Sequence, residues 1–162
     1  SGHCKDGGCG EAEGHQVYFA KYGSTFYTAT IRGKGIDIWD ITDVRDPRHV
    51  KAVDIPGVNY GDFTEAVWGI AWQGTTIYVG GTNTGVHVID AKDPANAKLV
   101  KSVPQGQVGN VNAGPLFAVG NILVVTTPKD NRGVATRYDK LAVRFEAVVQ
   151  IANIDRWLKR LS

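Results

Sequence analysis

Gly85-Val86-His87-Val88-Ile89-Asp90-Ala91-Lys92-Asp93-Pro94-Ala95-Asn96-Ala97-Lys98-Leu99-Val100-Lys101-Ser102-Val103-Pro104 is the stretch whose reading decides the fold. A glycine opens a short apolar run, an aspartate closes it, and an Asp-Pro turn leads into a second alternating run. Pro94 holds φ near the value a turn needs, and Asp93 can hydrogen-bond the backbone just beyond it. The stretch reads as strand, turn, strand. The chain contains it twice, and a degraded third copy follows.

Working outward, the rest of the chain repeats the same order. Val17 to Tyr22, Thr25 to Thr30, Gly35 to Ile41 and Val50 to Val53 are short runs rich in aromatic and β-branched residues, as half-buried strands are. The order restarts with Trp68 to Trp72, Thr76 to Val79, Gly85 to Asp90 and Leu99 to Val103. A third round opens with Leu116 to Val119, continues through Ile122 to Thr127 and reaches Gly133 to Asp139. Glycines of the first turn, Gly23, Gly74 and Gly120, are spaced by 51 and 46 residues, and those opening the third strand, Gly35, Gly85 and Gly133, by 50 and 48. Four short strands in each period of about fifty residues predict the blades of a β-propeller. The expected fold class is all-β: a propeller segment of about three four-stranded blades with a short C-terminal helix.

Gly85 to Val103 resembles the LVIVD repeat: a glycine, an apolar strand ending in Asp, a short step, Asp-Pro, then a second apolar strand. Gly35 to Val53 is similar, with three residues inserted between Asp40 and Asp46-Pro47. The resemblance spans roughly residues 15–139. It implies a β-propeller, usually on exported or surface proteins, and it specifies fold well and activity poorly. Trp39-Asp40 matches the WD dipeptide of another propeller class, which lacks the Asp-Pro step. The third copy departs from the pattern, because Gly133 to Asp139 is one residue longer and no Asp-Pro follows.

The expected boundaries are an irregular glycine-rich arm over 1–14, blades over about 15–57, 58–107 and 108–152, and a helical tail over 153–162. In the last part, Phe145, Val148, Val149 and Ile151 could continue a strand, while Leu141, Phe145, Val148 and Ala152 recur at helical spacing. A strand to about Ala152 is favoured, with a helix starting from Asn153 or Asp155. Three blades do not close a ring, since propellers close with four to eight. A homo-oligomer, or another chain that completes the propeller, is therefore the expected partner.

Composition bounds the function. A formal charge of +2 over 162 residues is too small to argue for nucleic acid or an anionic membrane as partner, and neither nucleic acid nor a membrane span is expected. No run approaches the roughly 20 apolar residues of a membrane helix. A chain that starts at Ser1 and holds no methionine reads as a processed or excised product, so a missing signal peptide does not point to the cytoplasm. With the resemblance to exported propellers, the expectation is a secreted, periplasmic or cell-surface protein.

Two constellations are candidates for chemistry. His3, Cys4, Cys9 and His15 could hold a tetrahedral metal ion such as zinc, although the spacing matches no standard zinc pattern. Alternatively a Cys4–Cys9 disulfide closes the glycine-rich loop, or both thiols are free. The second constellation follows from the repeat. Loops leading into the first strand of each blade open on one mouth of a propeller's channel. His15, Tyr60, Asp62, Glu65, Asn110 and Asn112 occupy those loops, and they could converge on a ligand or simply make turns.

Asp40 and Asp90 are expected to bond backbone groups at strand ends. His87 is expected to be a packed histidine facing away from Val86 and Val88. Nothing resembles a nucleophile elbow, a phosphate loop or a paired-carboxylate site. The sequence thus points to a binding or scaffold module, with a propeller enzyme carrying a divalent metal or redox cofactor at the channel mouth as the alternative.

Overall fold

The computed structural model describes residues 17–59, 68–109, 112–125 and 150–153. The described chain is all-β and forms three sheets whose strand pairs are all antiparallel. Sheet I is the meander β1 (Val17–Tyr22), β2 (Thr25–Arg32), β3 (Gly35–Asp40) and β4 (Arg48–Asp54). Sheet II repeats it with β5 (Trp68–Gln73), β6 (Thr76–Gly81), β7 (Val86–Asp90) and β8 (Lys98–Val103). Sheet III has β9 (Leu116–Val119), β10 (Ile122–Val125) and β11 (Gln150–Asn153). No helix among the described residues is long and apolar enough to cross a membrane.

The repeated glycines have two separate physical causes. Gly23, Gly74 and Gly120 each begin a two-residue hairpin turn, with φ of 60°, 57° and 56°. That left-handed conformation is one a Cβ disfavours. Gly35 and Gly85 stand where the end of the fourth strand closes on the start of the third. A methyl on either would overlap the carbonyl oxygen of Val53 or Val103. Both contacts recur one period apart, and so does the irregularity beside them. The third and fourth strands of sheet I shift register between Ile38 and Trp39, and those of sheet II between Val88 and Ile89.

The connection after the third strand corrects one expectation. Asp40 Oδ1 accepts from Thr42 N and Asp90 Oδ1 accepts from Lys92 N, both at 2.9 Å. These are the strand-end turns expected of the two aspartates. Next, Asp93 Oδ1 accepts from Ala95 N at 3.1 Å and caps the 3₁₀ turn Pro94–Asn96. In sheet I the same bond runs from Arg45 N to Asp43 Oδ1 at 3.0 Å. Asp46 N then reaches Asp43 O just as Asn96 N reaches Asp93 O. Asp43, not Asp46, is therefore the partner of Asp93, and the two connections have equal length. Side-chain hydrogen bonding sets the turn, and the proline is dispensable to it.

Sheet III departs further from the expected pattern. The strand beside β10, on the side away from β9, is Gln150–Asn153. Gly133 to Asp139, expected there, lies outside the described residues. Asn153 is the last residue of that strand, and the rest of the expected tail lies outside the described residues, as does the arm over 1–14.

Sheets I and II each turn a forward face to the sheet that follows in sequence, and sheets II and III a rear face to the one before; the outer faces of sheets I and III are their rear and forward faces by the same rule. Ala29, Ile31, Ile36, Ile38 and Val53 on the forward face of sheet I pack against Ile70, Trp72, Ile77, Val79 and Ile89 on the rear face of sheet II. Ala71, Tyr78, Val86, Val88 and Val103 on the forward face of sheet II then pack against Leu116, Leu123 and Val125 of sheet III. Burying an isoleucine fully is worth about 1.5–3 kcal/mol, so these two layers dominate the stability. Polar side chains tie the layers at their edges. Trp72 Nε1 donates to Tyr22 Oη at 3.1 Å, and the Tyr22 hydroxyl reaches the carbonyls of Gly74 and Ala91 at 2.9 and 3.0 Å. Burial raises the Tyr22 pKa above its ordinary value. One period on, Gln73 Nε2 donates to Gly120 O at 2.7 Å.

Candidate functional site

Among the described residues, the rear face of sheet I carries a polar and aromatic cluster outside the two packed layers. Alternation along β2 and β3 points Thr28, Thr30, Asp37 and Trp39 away from the core, opposite to Ala29, Ile36 and Ile38. Trp39 Nε1 donates to Thr30 Oγ1 at 3.2 Å, and Thr28 Oγ1 donates to Tyr18 O at 3.0 Å. Thr28, Thr30, Trp39, Ile41 and Pro47 line a shallow pocket of about 240 Å³. Beside it, His49 Nε2 lies 3.0 Å from Asp37 Oδ1, and the imidazole meets the Trp39 ring edge-on with centroids 5.0 Å apart. Arg32 completes the group by pairing with Asp54 and approaching Asp37 at 3.7 Å. Such a surface can bind. It has no arranged nucleophile or oxyanion donors.

At the position of Asp37 in sheet II stands His87, and its environment differs in kind. It is 2% exposed, against Thr84 and Ser102. Thr84 Oγ1 lies 2.6 Å from Gly81 O and 2.8 Å from His87 Nε2. The carbonyl can only accept, so the Thr84 proton goes to it and Nε2 carries the proton that Thr84 accepts. Nδ1 is then the bare nitrogen and accepts from the Ser102 hydroxyl at 2.9 Å. A Ser–His contact suggests a nucleophile and its base. Burial, however, pushes the His87 pKa down to about 4, which leaves too weak a base to activate a hydroxyl near neutral pH. His87 is a satisfied core histidine, as expected.

Of the channel-mouth residues, Asn112 is placed and His15, Tyr60, Asp62, Glu65 and Asn110 lie outside the described residues. Asn112 Oδ1 accepts from Gln105 Nε2 at 2.9 Å. The next residue, Ala113, pairs with Thr82 through two backbone hydrogen bonds of 2.9 and 3.0 Å. Asn112 therefore ties the approach to β9 to the turn that follows β8, while Ala113 holds it against the β6–β7 turn. His3, Cys4 and Cys9 also lie outside the described residues. Among the described residues, no group of three or more His, Cys, Asp or Glu side chains is placed to hold a metal ion.

Trp39 stands out in the sequence only for its WD dipeptide and His49 only as an exposed histidine, and neither marks a site. One signal could have found the cluster. Asp37 interrupts Ile36 and Ile38 at the repeat position of His87, so two consecutive units place an ionisable group where a strand interior favours an apolar one.

No protein-family model matches the chain, and no curated protein does. Among solved structures it is similar to the computationally designed Ika4 protein, a crystal structure. The likeness has 14% identity and a TM-score of 0.48 over 86% of this chain. The chain spans 66% of that protein's length.

Proposed function

We propose that the chain is an incomplete β-propeller of the LVIVD-repeat type, acting as a binding or scaffold module of an exported protein. Its loops, or the mouth of the channel that completed blades would enclose, meet a partner or ligand. The observation that carries this reading is the agreement between sheets I and II beyond strand order. The register shifts at Ile38/Trp39 and Val88/Ile89, the strand-end turns at Asp40 and Asp90, and the closures at Gly35 and Gly85 all recur 50 residues apart. Irregularities shared in this way are the mark of a repeated unit.

The test is a binding comparison. A soluble partner or ligand captured by the wild-type chain should bind at least tenfold more weakly to a variant carrying Tyr60→Ala, Asp62→Ala and Glu65→Ala. Equal affinity would overturn the channel-mouth assignment. Metal analysis of protein purified without added metal addresses the scaffold role itself: one equivalent of copper, iron or zinc per chain would replace it with a metal-dependent enzyme.

A further inference from the structure

We infer that the rear face of sheet I and the forward face of sheet III are two halves of one interface, and that a second copy of this chain joins them head to tail. This rests on the blade reading above and names its missing partner. The argument starts from the pocket. Its five lining residues have direct equivalents one repeat later, read from strand pairing. Thr28 and Trp39 pair as Ile77 and Ile89 do, and Thr30 and Asp37 pair as Val79 and His87 do. Ile41 and Pro47 correspond to Ala91 and Ala97. Those equivalents, Ile77, Val79, Ile89, Ala91 and Ala97, are each no more than 3% exposed, covered by the forward face of sheet I. The pocket is thus the open counterpart of a footprint that a preceding sheet fills elsewhere in the same chain.

The complementary surface lies at the other end. Phe117 and Val124 of sheet III correspond to Ala71 and Tyr78, which sheet II buries against sheet III. Yet Phe117 is 55% exposed and Val119 52%. On the rear face of sheet I, Phe19 is 63% exposed at the place of the fully buried Ile70. Of the seven exposed large hydrophobic residues among those described, five lie on these two faces: Phe19, Phe26, Phe117, Val119 and Ile122. Exposed aromatic and aliphatic groups concentrated this way mark an association surface.

Forward-on-rear packing occurs twice within the chain, so the face that fits sheet I from behind is a forward face. Sheet III presents the one left uncovered among the described residues. Joining two copies through two such contacts makes a heterologous ring of six sheets, within the range in which propellers close. The threonines, Asp37 and His49 make the rear face of sheet I more polar than its equivalent in sheet II. That is the composition of an interface that must also stay soluble before assembly.

Light scattering coupled to size exclusion, on the full chain, tests the inference. The wild-type protein should run at twice the 17.5 kDa chain mass. Phe19→Arg and Phe117→Arg replace exposed side chains on opposite faces. Each alone should weaken self-association roughly a hundredfold, the effect of losing a central interface anchor. The contact is head to tail, so an equimolar mixture of the two variants keeps one unaltered interface and should recover dimer. Failure of the mixture to recover, a dimer unaffected by either variant, or a mass that climbs with concentration would each overturn the closed two-copy ring. A wild-type monomer with one cooperative melt overturns the self-pairing while leaving the blade reading intact. The blade reading fails separately, if Ile38→Asp and Val88→Asp melt like the parent.

Discussion

Acidification should destabilise this protein through His87 more than through any other histidine described. The imidazole is buried between Thr84 and Ser102, and burial lowers its pKa from the usual 6.5 to about 4. In the unfolded chain the same group regains its ordinary value. Between those limits the unfolded state binds one proton more than the folded state, so stability falls as pH falls. The contribution is fully present above about pH 6.5 and is lost progressively down to about pH 4. At pH 4.5 linkage gives a loss of roughly 2–3 kcal/mol, a large part of a typical stability of about 5–15 kcal/mol.

The measurement is urea unfolding of the parent and of His87→Gln at intervals from pH 7.5 to 4.5. Carboxylates titrate in the same range and affect both proteins, so the difference between the two curves isolates His87. The parent should lose roughly 2–3 kcal/mol more than the variant over the interval. Parallel curves would refute the argument, as would a His87 ring resonance that titrates near 6.5 in the folded protein.

Three further outcomes follow. Ile38→Asp and Val88→Asp place an unpaired carboxylate at equivalent, fully covered positions of two layers; each should lose several kcal/mol, and a melting temperature within a few degrees of the parent would show the alignment wrong there. Gly85→Ala puts a methyl against the Val103 carbonyl at a φ of 94°, so it should cost more than the roughly 1 kcal/mol of an ordinary left-handed glycine; an unchanged urea midpoint would sink that account. A Cys4–Cys9 disulfide predicts no reactive thiol in the unfolded, unreduced chain, and two free thiols would remove both the bond and the case for an oxidising compartment.

The strand order of sheets I and II was legible because two signals agreed in each unit. Turn glycines at Gly23 and Gly74 set where strands end, and alternation set which face is buried. The connection after β3 was misread because Asp46-Pro47 looks like Asp93-Pro94. What the turn needs is a carboxylate accepting from the residue two positions on, which Asp43 supplies to Arg45. Residue type marked the wrong aspartate, and hydrogen-bond position marks the right one. In sheet III the local signals conflict. Gly120 makes its hairpin as Gly23 and Gly74 do, but no short-range signal ties β10 to a third strand. A partner as distant in sequence as Gln150–Asn153 is set by long-range pairing that periodicity does not encode.

The candidate site was illegible for a different reason. A repeat argument looks for what recurs, and it sent attention to the loops that recur, of which Asn112 proves to be spent on Gln105. The Trp39 pocket exists because something fails to recur. Thr28 and Thr30 stand where Ile77 and Val79 are buried, and Asp37 stands where His87 is. In sheet II the position of residue 87 tolerates an imidazole because Ser102 and Thr84 satisfy both nitrogens without water. In sheet I the same position holds a carboxylate that recruits His49 and Arg32 from neighbouring strands. An interior layer must be dry and neutral. The rear face of sheet I, which no described sheet covers, carries charge and an indole instead. The differences between the aligned sheets therefore mark the one face of sheets I and II that no described sheet covers.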